Sequence, residues 1–405
     1  MANSLYTKRH YFCIVLNFEN TKIAFKLKSN LDLNRAYVLF KVISSPIIVK
    51  IGKGLMLFAL KLRLPVSFIV KKTIFKQFCG GETISECSPT IKSLGSQGVG
   101  TILDYSVEGK TQEDDFDKTT DIIIDTIVKA HTEKNIPFAV FKITGISKFS
   151  LLEKASQKEI NLHESEANEL AKIEARILKI CKTAHELNVP VFIDAEESWI
   201  QDVIDTWAFQ MMCLFNKENT IVYNTIQMYR HDRLEFLKSC LQKALEHNVS
   251  YGVKLVRGAY MEKERERASE MNYPSPIQMN KKATDDDYNA AQDFILENIT
   301  QFSLVAGTHN EESSKQLAMH LEKYGISKDS TSVFFAQLLG MSDHISFNLS
   351  NEGFNVAKYV PFGPVQEVMP YLLRRADENT SVAGQTGREL SLIVTEKNRR
   401  KKAKA

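Results

Sequence analysis

The sequence lacks the glycine-rich signatures of the common nucleotide-binding folds. Neither G-x-G-x-x-G nor G-x-x-x-x-G-K-[ST] occurs in its 405 residues, which disfavours a Rossmann fold and a P-loop. Any dinucleotide would have to be held by another architecture. The six cysteines are scattered, with no C-x-x-C pair or other metal-like spacing. A chain of this length does not need disulfides, so we expect reduced, mostly buried thiols in a cytoplasmic protein.

No sign of charge dominates, and no apolar run is long enough to cross a membrane. Charged residues make up 25% of the chain and the net charge is +3, which argues against nucleic-acid binding. The stretch Ile43–Leu64 is interrupted by three lysines and one arginine; it cannot span a bilayer but could lie against one. The short apolar run Phe12–Leu16 lacks a small-residue cleavage site and is not a signal peptide.

The chain ends in a basic run, Lys397–Lys404. Such a run is typical of a frayed, solubilising end. The alternative is contact with an anionic lipid surface, which would place the protein peripherally on the inner face of a membrane.

A repeating pattern begins near residue 98. Short apolar runs rich in β-branched residues alternate with amphipathic segments such as Glu164–Leu187 and Asp232–Asn248. Alternation of buried strands with helices predicts parallel pairing, and eight such units predict an α/β fold, a closed (β/α)8 barrel. The eight predicted strands are Gly98–Ser106, Phe138–Ile146, Pro190–Glu196, Ile221–Met228, Tyr251–Tyr260, Ser303–Asn310, Ser332–Gly340 and Asn355–Gly363.

Polar residues gather at the C-terminal ends of these runs, the face where barrel enzymes place their active sites. A barrel filled only for stability would not need charges on so many strand ends. The residues concerned are Lys142, Asp194, Glu196, Glu197, Gln227, Lys254, Arg257, Tyr260, Thr308, His309, Asn310 and Tyr359.

Residues 1–97 do not follow the barrel repeat. Leu31–Leu64 and Thr83–Leu94 are expected to be helical, so this part is predicted to be a helical arm packed on the barrel. The expected domains are therefore an N-terminal helical region (1–97), the barrel (98–385) and a basic tail (386–405).

The segment Tyr371–Asn379 carries the most specific chemistry. Arg374 and Arg375 are adjacent, and helical spacing brings Glu378 beside both. Two guanidinium forks can hold one carboxylate from two directions. The alternative is a solvated surface ladder, which would contribute little.

The charged residues at two strand ends can each be interpreted in more than one way. Lys142 lies in an apolar run, where a lysine either extends to solvent or points into a site as a cation. Asp194, Glu196 and Glu197 follow the third run as metal ligands, as a general base, or as caps of the next helix. Asp194 fits the strand pattern best and is expected to face inward.

The fifth run holds Lys254 and Arg257, three residues apart. On a regular strand they would face opposite sides unless Gly258 supplies a bend. Gly258 and Ala259 would let a flat ligand approach the backbone, and Tyr260 could pack on a small ring. The alternative is an edge strand with solvated cations.

His309 follows the sixth run, and no second histidine stands at a ligand-like spacing from it. A hydrogen-bonding histidine that contacts a phosphate or a ring is favoured over a metal ligand.

Together these segments resemble the proline dehydrogenase family, specifically its single-function members. The resemblance runs from about Gly98 to Asn379. It is carried by Phe141-Lys142, Phe192–Glu196, Thr225–Met228, Val253–Tyr260, Gly307–Asn310, Tyr359–Gly363 and Tyr371–Asn379. It implies a (β/α)8 barrel that binds FAD and oxidises L-proline to Δ1-pyrroline-5-carboxylate by hydride transfer from proline C5 to flavin N5.

The resemblance also implies roles for individual residues. The proline carboxylate would be bound by Arg374 and Arg375 with Lys142, and Glu378 would steady the arginines. The pyrrolidine ring would be packed by Tyr260, Leu338 and Tyr359. The flavin would be contacted or surrounded by Asp194, Ala195, Gln227, Lys254, Arg257, Gly258, Ala259, Thr308 and His309.

Two residues depart from the bifunctional bacterial relatives. Lys254 stands where they carry arginine, which keeps the charge near flavin N5 but loses the fork. Met261 replaces an aromatic residue that follows the tyrosine. Lys254 would favour the reduced flavin, and Asp194 is a candidate general base or a residue that orients Lys142.

The resemblance to this family also implies a quinone-type electron acceptor, a peripheral membrane surface, and a separate pyrroline-5-carboxylate dehydrogenase for the next step. Two rival hypotheses remain. One is a flavin barrel similar to methylenetetrahydrofolate reductase, which would need stacking aromatics for a pterin. The other is an inactive barrel serving as an amino-acid sensor or scaffold, against which the intact charged set argues.

Overall fold

The structure is a computed structural model that describes residues 16–45, 47–52, 54, 67–107, 110–157, 162–381 and 385–403. Side-chain surroundings are described for these residues except 377–381, 385 and 386. The predicted helix Leu31–Leu64 therefore lies partly outside the described residues, and the side-chain contacts of Glu378 lie wholly outside them.

Eight parallel strands pair in sequence order and close on themselves into a barrel. Seven lie within the runs predicted from the sequence and the sixth begins one residue before its run, so the (β/α)8 fold is confirmed. The strands are β1 (Val99–Tyr105), β2 (Phe138–Lys142), β3 (Val191–Asp194), β4 (Val222–Gln227), β5 (Tyr251–Val256), β6 (Phe302–Gly307), β7 (Val333–Leu338) and β8 (Val356–Phe362).

Helices cover the outside of the barrel, and two predicted helices are confirmed within one residue at each end. Glu164–Glu186 begins after His163, where the Glu166 side chain accepts from the His163 backbone N–H. Arg233–His247 ends at Asn248, whose left-handed backbone (φ 51°) stops the helix. The other barrel helices are Glu113–Thr132, Phe149–Ala155, Ser198–Phe215, Met261–Glu270, Lys281–Glu297, Glu311–Lys323, Asp343–Asn351 and Met369–Ser381.

Aromatic rings fill the lower barrel interior. Phe138 stacks on Phe192 at 4.6 Å between ring centroids, and Tyr223 and Phe334 meet Phe138 edge to face. Every second residue of a barrel strand faces inward, so the inward-facing residues that follow these rings lie two positions further toward the C-terminal ends of the strands. These rings fill the N-terminal part of the barrel, so the polar side chains of the site lie at the C-terminal ends of the strands, which form the barrel mouth.

The two helices predicted in the N-terminal arm (residues 1–97) do not begin and end where the sequence pattern placed them. The predicted helix Leu31–Leu64 is interrupted: one helix spans Asn30–Ile43 and closes through Ser44, and residues 47–52 and 54 are helical again, while the remainder lies outside the described residues. Pro46 follows in the sequence, and the residue before a proline disfavours helix. The second helix is Ser88–Gly95 because Pro89 suits a first turn, whereas residues 83–87 form a bend and a turn. Shorter helical segments are Thr21–Ala24, Ser67–Val70, a π-helical turn Lys71–Phe75 and Lys76–Phe78.

The basic end of the chain is a helix, Gln385–Lys402, called here the C-terminal helix. The expectation of a frayed end was wrong because Leu392 and Ile393 are each 1% exposed in a cluster shared with the N-terminal arm. Arg400 donates to the carbonyls of Phe25 and Lys28, at 2.9 and 2.8 Å. The domain boundaries 1–97, 98–385 and 386–405 stay a prediction.

Candidate active site

A charge pair spans the ends of β1 and β2. Lys142 Nζ lies 3.2 Å from Asp104 Oδ1 and 3.3 Å from Oδ2, and the Ser106 hydroxyl donates to the same carboxylate. The side chains of Lys142 and Asp104 are only 14% and 3% exposed. Lys142 is therefore a cation inside the barrel mouth, and the reading of a lysine extending to solvent is excluded.

A second buried pair joins β3 to β5. Lys254 forms a salt bridge with Asp194, and the Tyr359 hydroxyl on β8 donates to the other oxygen of Asp194 at 2.6 Å. Burial alone would raise the pKa of Asp194, but the charges of Lys254 and Lys142 hold it below its ordinary value. Asp194 faces inward as expected and is ionised. Asp194 forms a salt bridge with Lys254 and also feels the charge of Lys142, whose own salt bridge is with Asp104.

Lys254 is enclosed by aromatic rings. Its Nζ lies 4.8 Å from the centroid of Tyr359 and 5.4 Å from that of Phe192. Ring faces carry negative charge and stabilise a cation that is shielded from water. The lysine is thus fixed as a point charge within the barrel mouth.

Glu196 and Glu197 follow β3 with different partners, and Ala195 separates them from Asp194. Glu196 accepts from the Thr144 backbone N–H at 3.0 Å and from its hydroxyl, which ties the turn after Lys142 to the end of β3. Burial raises the pKa of Glu196 to about 8. Glu197 pairs with Lys263 on the helix after β5, and no side-chain capping bond is formed to the helix it precedes.

Gln227 ends β4 and donates to the Glu196 carbonyl at 2.9 Å. Gln227 is buried, with 3% of its surface exposed. The amide therefore links β3 and β4 at the mouth and fixes the backbone on which Ala195 and Glu196 lie.

Arg257 lies just beyond β5 and bridges toward β6. Its guanidinium donates to Asp285 (2.8 Å), Thr308 (2.7 Å) and Ser313 (2.9 Å), and stacks on the Tyr288 ring at 4.3 Å. Three donors directed at three acceptors hold the fork rigidly. The reading of solvated cations on an edge strand is excluded because β5 is a central barrel strand.

The bend expected at Gly258 is present. Its φ is +132°, and an added Cβ would lie 2.5 Å from the ring of Tyr229. Only glycine fits this conformation and this contact. Gly258 and Ala259 are exposed and present open backbone between Arg257 and Tyr260.

Thr308 and His309 follow β6. Thr308 accepts from Arg257, and His309 Nδ1 lies 2.9 Å from Ser342 Oγ. Burial, with the charge of Lys358 next, lowers the pKa of His309 to about 3, so the ring is neutral. In the described part of the chain, no group of three or more His, Cys, Asp or Glu side chains could hold a metal ion.

The helix Met369–Ser381, called here the arginine helix, brings the arginine pair to the mouth. The Arg374 guanidinium lies 5.4 Å from the Tyr260 ring and that of Arg375 lies 5.2 Å from the Tyr371 ring. Arg375 is 6% exposed, so the reading of a solvated surface ladder fails for it. Glu378 belongs to the same helix, in the part whose side chains lie outside the described residues.

Leu338 and Tyr359 are neighbours across β7 and β8. Tyr359 is 9% exposed, and burial, followed by the charge of Asp194, raises its pKa well above the ordinary value. The phenol therefore stays protonated and donates. The two side chains form an apolar wall next to the charged centre of the mouth.

Sequence reasoning missed three residues of this mouth. Asp104 stands next to last in β1, directly after two apolar residues, a signal similar to the one that identified Asp194. Tyr371 lies one helical turn before Arg375, where an aromatic can cover a guanidinium. Ser342 had no local signal, because its contact with His309 crosses 33 residues.

Residues 87–388 match the family model described as proline dehydrogenase. The carbapenem antibiotics biosynthesis protein CarD of Pectobacterium carotovorum is 34% identical over 80% of this chain and 83% of its own. Mitochondrial proline dehydrogenase 1 of Arabidopsis thaliana is 35% identical over 82% and 75%. Hydroxyproline dehydrogenase of Xenopus laevis is 31% identical over 93% and 88%.

A solved structure shows a similar fold. Proline utilization A from Bdellovibrio bacteriovorus superposes with a TM-score of 0.69 at 20% identity, over 90% of this chain. This chain spans only 37% of that protein. This likeness supports the barrel fold.

Proposed function

The chain belongs to the proline dehydrogenase family and is an enzyme, and on that premise we propose that it oxidises L-proline to Δ1-pyrroline-5-carboxylate with FAD. Electrons would then pass to a quinone-type acceptor. The observation that carries the proposal is the arginine pair at the barrel mouth. Arg374 reaches Tyr260 after β5, and the charge of Arg375 acts on His309 after β6. The arginine helix thus covers the part of the mouth where flavin and substrate would meet.

The residues present fit a flavin dinucleotide. Its phosphates are anionic, and Arg257 is a rigid cation beside the exposed backbone of Gly258 and Ala259. Thr308 and His309 offer a hydroxyl and a neutral imidazole next to it, and Gln227 and Lys254 lie toward the barrel centre. When bound, the flavin would supply the hydride acceptor, with Lys254 a fixed positive charge nearby.

Substrate binding is assigned to the same mouth, between the arginine pair and Lys142. The proline carboxylate would be bound by Arg374, Arg375 and Lys142, the last held in place by Asp104. Tyr260, Leu338 and Tyr359 would pack on the ring, and the Tyr359–Asp194 hydrogen bond fixes one of these walls. Fixing both ends of a small substrate lowers the barrier by orientation.

Tyr359 also bears on substrate choice. Its ring is held by Asp194 at 2.6 Å and by the cation of Lys254, so it cannot easily move aside. A 4-hydroxyl on the pyrrolidine would meet this wall. We therefore favour proline over hydroxyproline.

The test is the visible spectrum of the purified protein, before and after anaerobic addition of L-proline. Flavin bands that bleach with L-proline, but not with D-proline, are expected. Trans-4-hydroxy-L-proline should bleach them much more slowly. A yellow protein indifferent to L-proline would refute the substrate, and a protein that stays colourless after addition of FAD would refute the cofactor.

A quinone acceptor calls for a membrane-facing surface, and the N-terminal arm offers one. Ile47, Ile51 and Phe68 are 71%, 59% and 64% exposed. No helix among the described residues is long and apolar enough to cross a bilayer. Apolar side chains of this kind can enter the headgroup region, with lysines such as Lys50 at the interface.

Vesicle flotation tests this surface. Wild-type protein should float with vesicles rich in anionic lipid, and an Ile47→Ser/Ile51→Ser variant should remain at the bottom. Removal of residues 397–405 should have the smaller effect, because Arg400 is engaged by the N-terminal arm. Flotation unchanged by the two serines would contradict the assignment.

A further inference from the structure

The segment joining β7 to the helix Asp343–Asn351 is fixed from outside the barrel. This segment, Leu339–Ser342, is called here the β7 loop. Gln77 of the N-terminal arm donates to the Gly340 carbonyl at 2.8 Å. Buried Lys358 donates to the Met341 carbonyl and pairs with Asp343 at 2.9 Å, and Lys28 pairs with the same aspartate at 3.2 Å.

The last residue of the β7 loop, Ser342, has an unusual backbone. Its φ of +50° and ψ of +40° lie in the left-handed region, which a non-glycine residue rarely adopts. Ser342 stands at the N-cap position of the following helix, where a serine normally accepts from the helix backbone. Here no such bond is formed, and Ser342 Oγ lies 2.9 Å from His309 Nδ1 instead.

The backbone of Ser342 is held by the C-terminal helix. Its N–H donates to the Glu389 carboxylate, 47 residues further along the chain. Glu389 is 3% exposed, and burial raises its pKa. The other charged or titratable groups acting on it are His344 and Asp343, from the helix after the β7 loop, and Lys358, from β8.

Docking a helix does not require a buried carboxylate, because an apolar residue could pack there without the free-energy cost of removing a charge from water. Glu389 instead accepts from the backbone N–H of Ser342, whose hydroxyl contacts His309. An unusual conformation that the surroundings enforce is a frequent mark of a functional site. The chain Glu389–Ser342–His309 connects a segment outside the barrel with the proposed cofactor site.

We propose that Glu389 is a positioning residue for the cofactor site: it holds Ser342 in the left-handed conformation in which the serine hydroxyl orients the His309 ring. This inference rests on the proposed function, since His309 is assigned to the flavin there. Glu389 itself touches neither substrate nor flavin. Its effect is transmitted by one backbone hydrogen bond and one side-chain hydrogen bond.

The test compares FAD affinity, measured by flavin fluorescence quenching, in full-length variants. Glu389→Ala removes the acceptor, and Ser342→Gly keeps the left-handed backbone but removes the hydroxyl. Each should weaken FAD binding by about tenfold, and the double variant should be no weaker than either single one, because both break the same connection. Glu389→Gln keeps an acceptor oxygen and should bind FAD nearly as wild type does.

Glu396→Ala is the matched control. Glu396 is a fully buried carboxylate on the same helix, but it pairs with Arg399 and Arg400 and not with the β7 loop. It should lower the melting temperature without changing FAD affinity in the folded protein. Equal losses of affinity in Glu396→Ala and Glu389→Ala, or additive losses in the double variant, would overturn the proposal.

A second readout separates this inference from the proposed function. The 15N chemical shifts of the His309 ring report its tautomer without any flavin, with His309→Gln supplying the assignment. A single neutral tautomer is expected in the wild type and a mixture in Glu389→Ala and Ser342→Gly. Unchanged shifts would overturn the positioning role even if FAD binds, and changed shifts would support it even if FAD does not.

Discussion

The barrel mouth and the outer helical surface both carry many ion pairs, but the two sets differ in burial. At the mouth, Asp194 and Lys254 have side chains 11% and 8% exposed. On the outside, Lys282 and Asp286 stand four residues apart on one helix with side chains 82% and 59% exposed. The residue types are the same, so composition does not distinguish the two regions.

The difference lies in what happens when one partner is lost. An exposed charge returns to water, and its pair contributes little. A buried charge has no water to return to, so a charged group at the mouth depends on a partner from another strand or helix. This explains why the mouth is cross-linked, with Asp104 for Lys142, Asp194 for Lys254, and Asp285 for Arg257.

The largest effect is expected from Asp194→Asn. The substitution keeps the size and a partner for Tyr359 but leaves Lys254 unpaired among aromatic rings, which should lower the free energy of unfolding by about 3–5 kcal/mol. Urea denaturation measures it. Asp194→Asn/Lys254→Met should recover much of the loss, and a double variant as unstable as the single would contradict the account.

Arg375→Met tests the clamp at the same mouth. Loss of a buried cation that binds a carboxylate should lower kcat/KM for proline by about 10²–10³-fold, mainly through KM. Flavin content per chain should stay unchanged. A normal KM with lost flavin would move Arg375 from the substrate to the cofactor.

Glu196→Gln tests a buried acid without a cationic hydrogen-bonding partner. The pKa of Glu196 is raised from 4.5 to about 8, so between these values the folded chain keeps a proton that the unfolded chain has lost. Stability should therefore fall as pH rises from about 4.5 to 8. The variant should not show this loss of stability. The difference between its melting temperature and that of the wild type should therefore increase by several degrees as the pH rises through this range. A constant difference across the window would contradict the shift.

The smallest effect is expected from Lys282→Ala on the outer surface. Its pair with Asp286 is solvated, so the melting temperature should change by no more than about 1 °C in low or high salt. Calorimetry at two ionic strengths measures it. A loss comparable to that of Asp194→Asn would remove the distinction between the two regions.

Much of the barrel was predictable because its signals are local. Each strand is a short apolar run with a polar end, and each barrel helix has its own periodicity and stop residue, as at Asn248. The N-terminal arm was predicted less well, since the helix boundaries at Ile43 and Ser88 are set by the nearby prolines Pro46 and Pro89 rather than by a change of period.

The sequence by itself determined the eight strands, their order and the strand ends at which Lys142, Asp194 and Lys254 stand. Periodicity places a side chain on a face, and parallel strands bring their ends together. Only the tertiary structure decided which charges pair, since Asp104 with Lys142 and Ser342 with Glu389 are contacts across 38 and 47 residues. Such contacts depend on the closure of the barrel and the docking of the C-terminal helix, which no local pattern encodes.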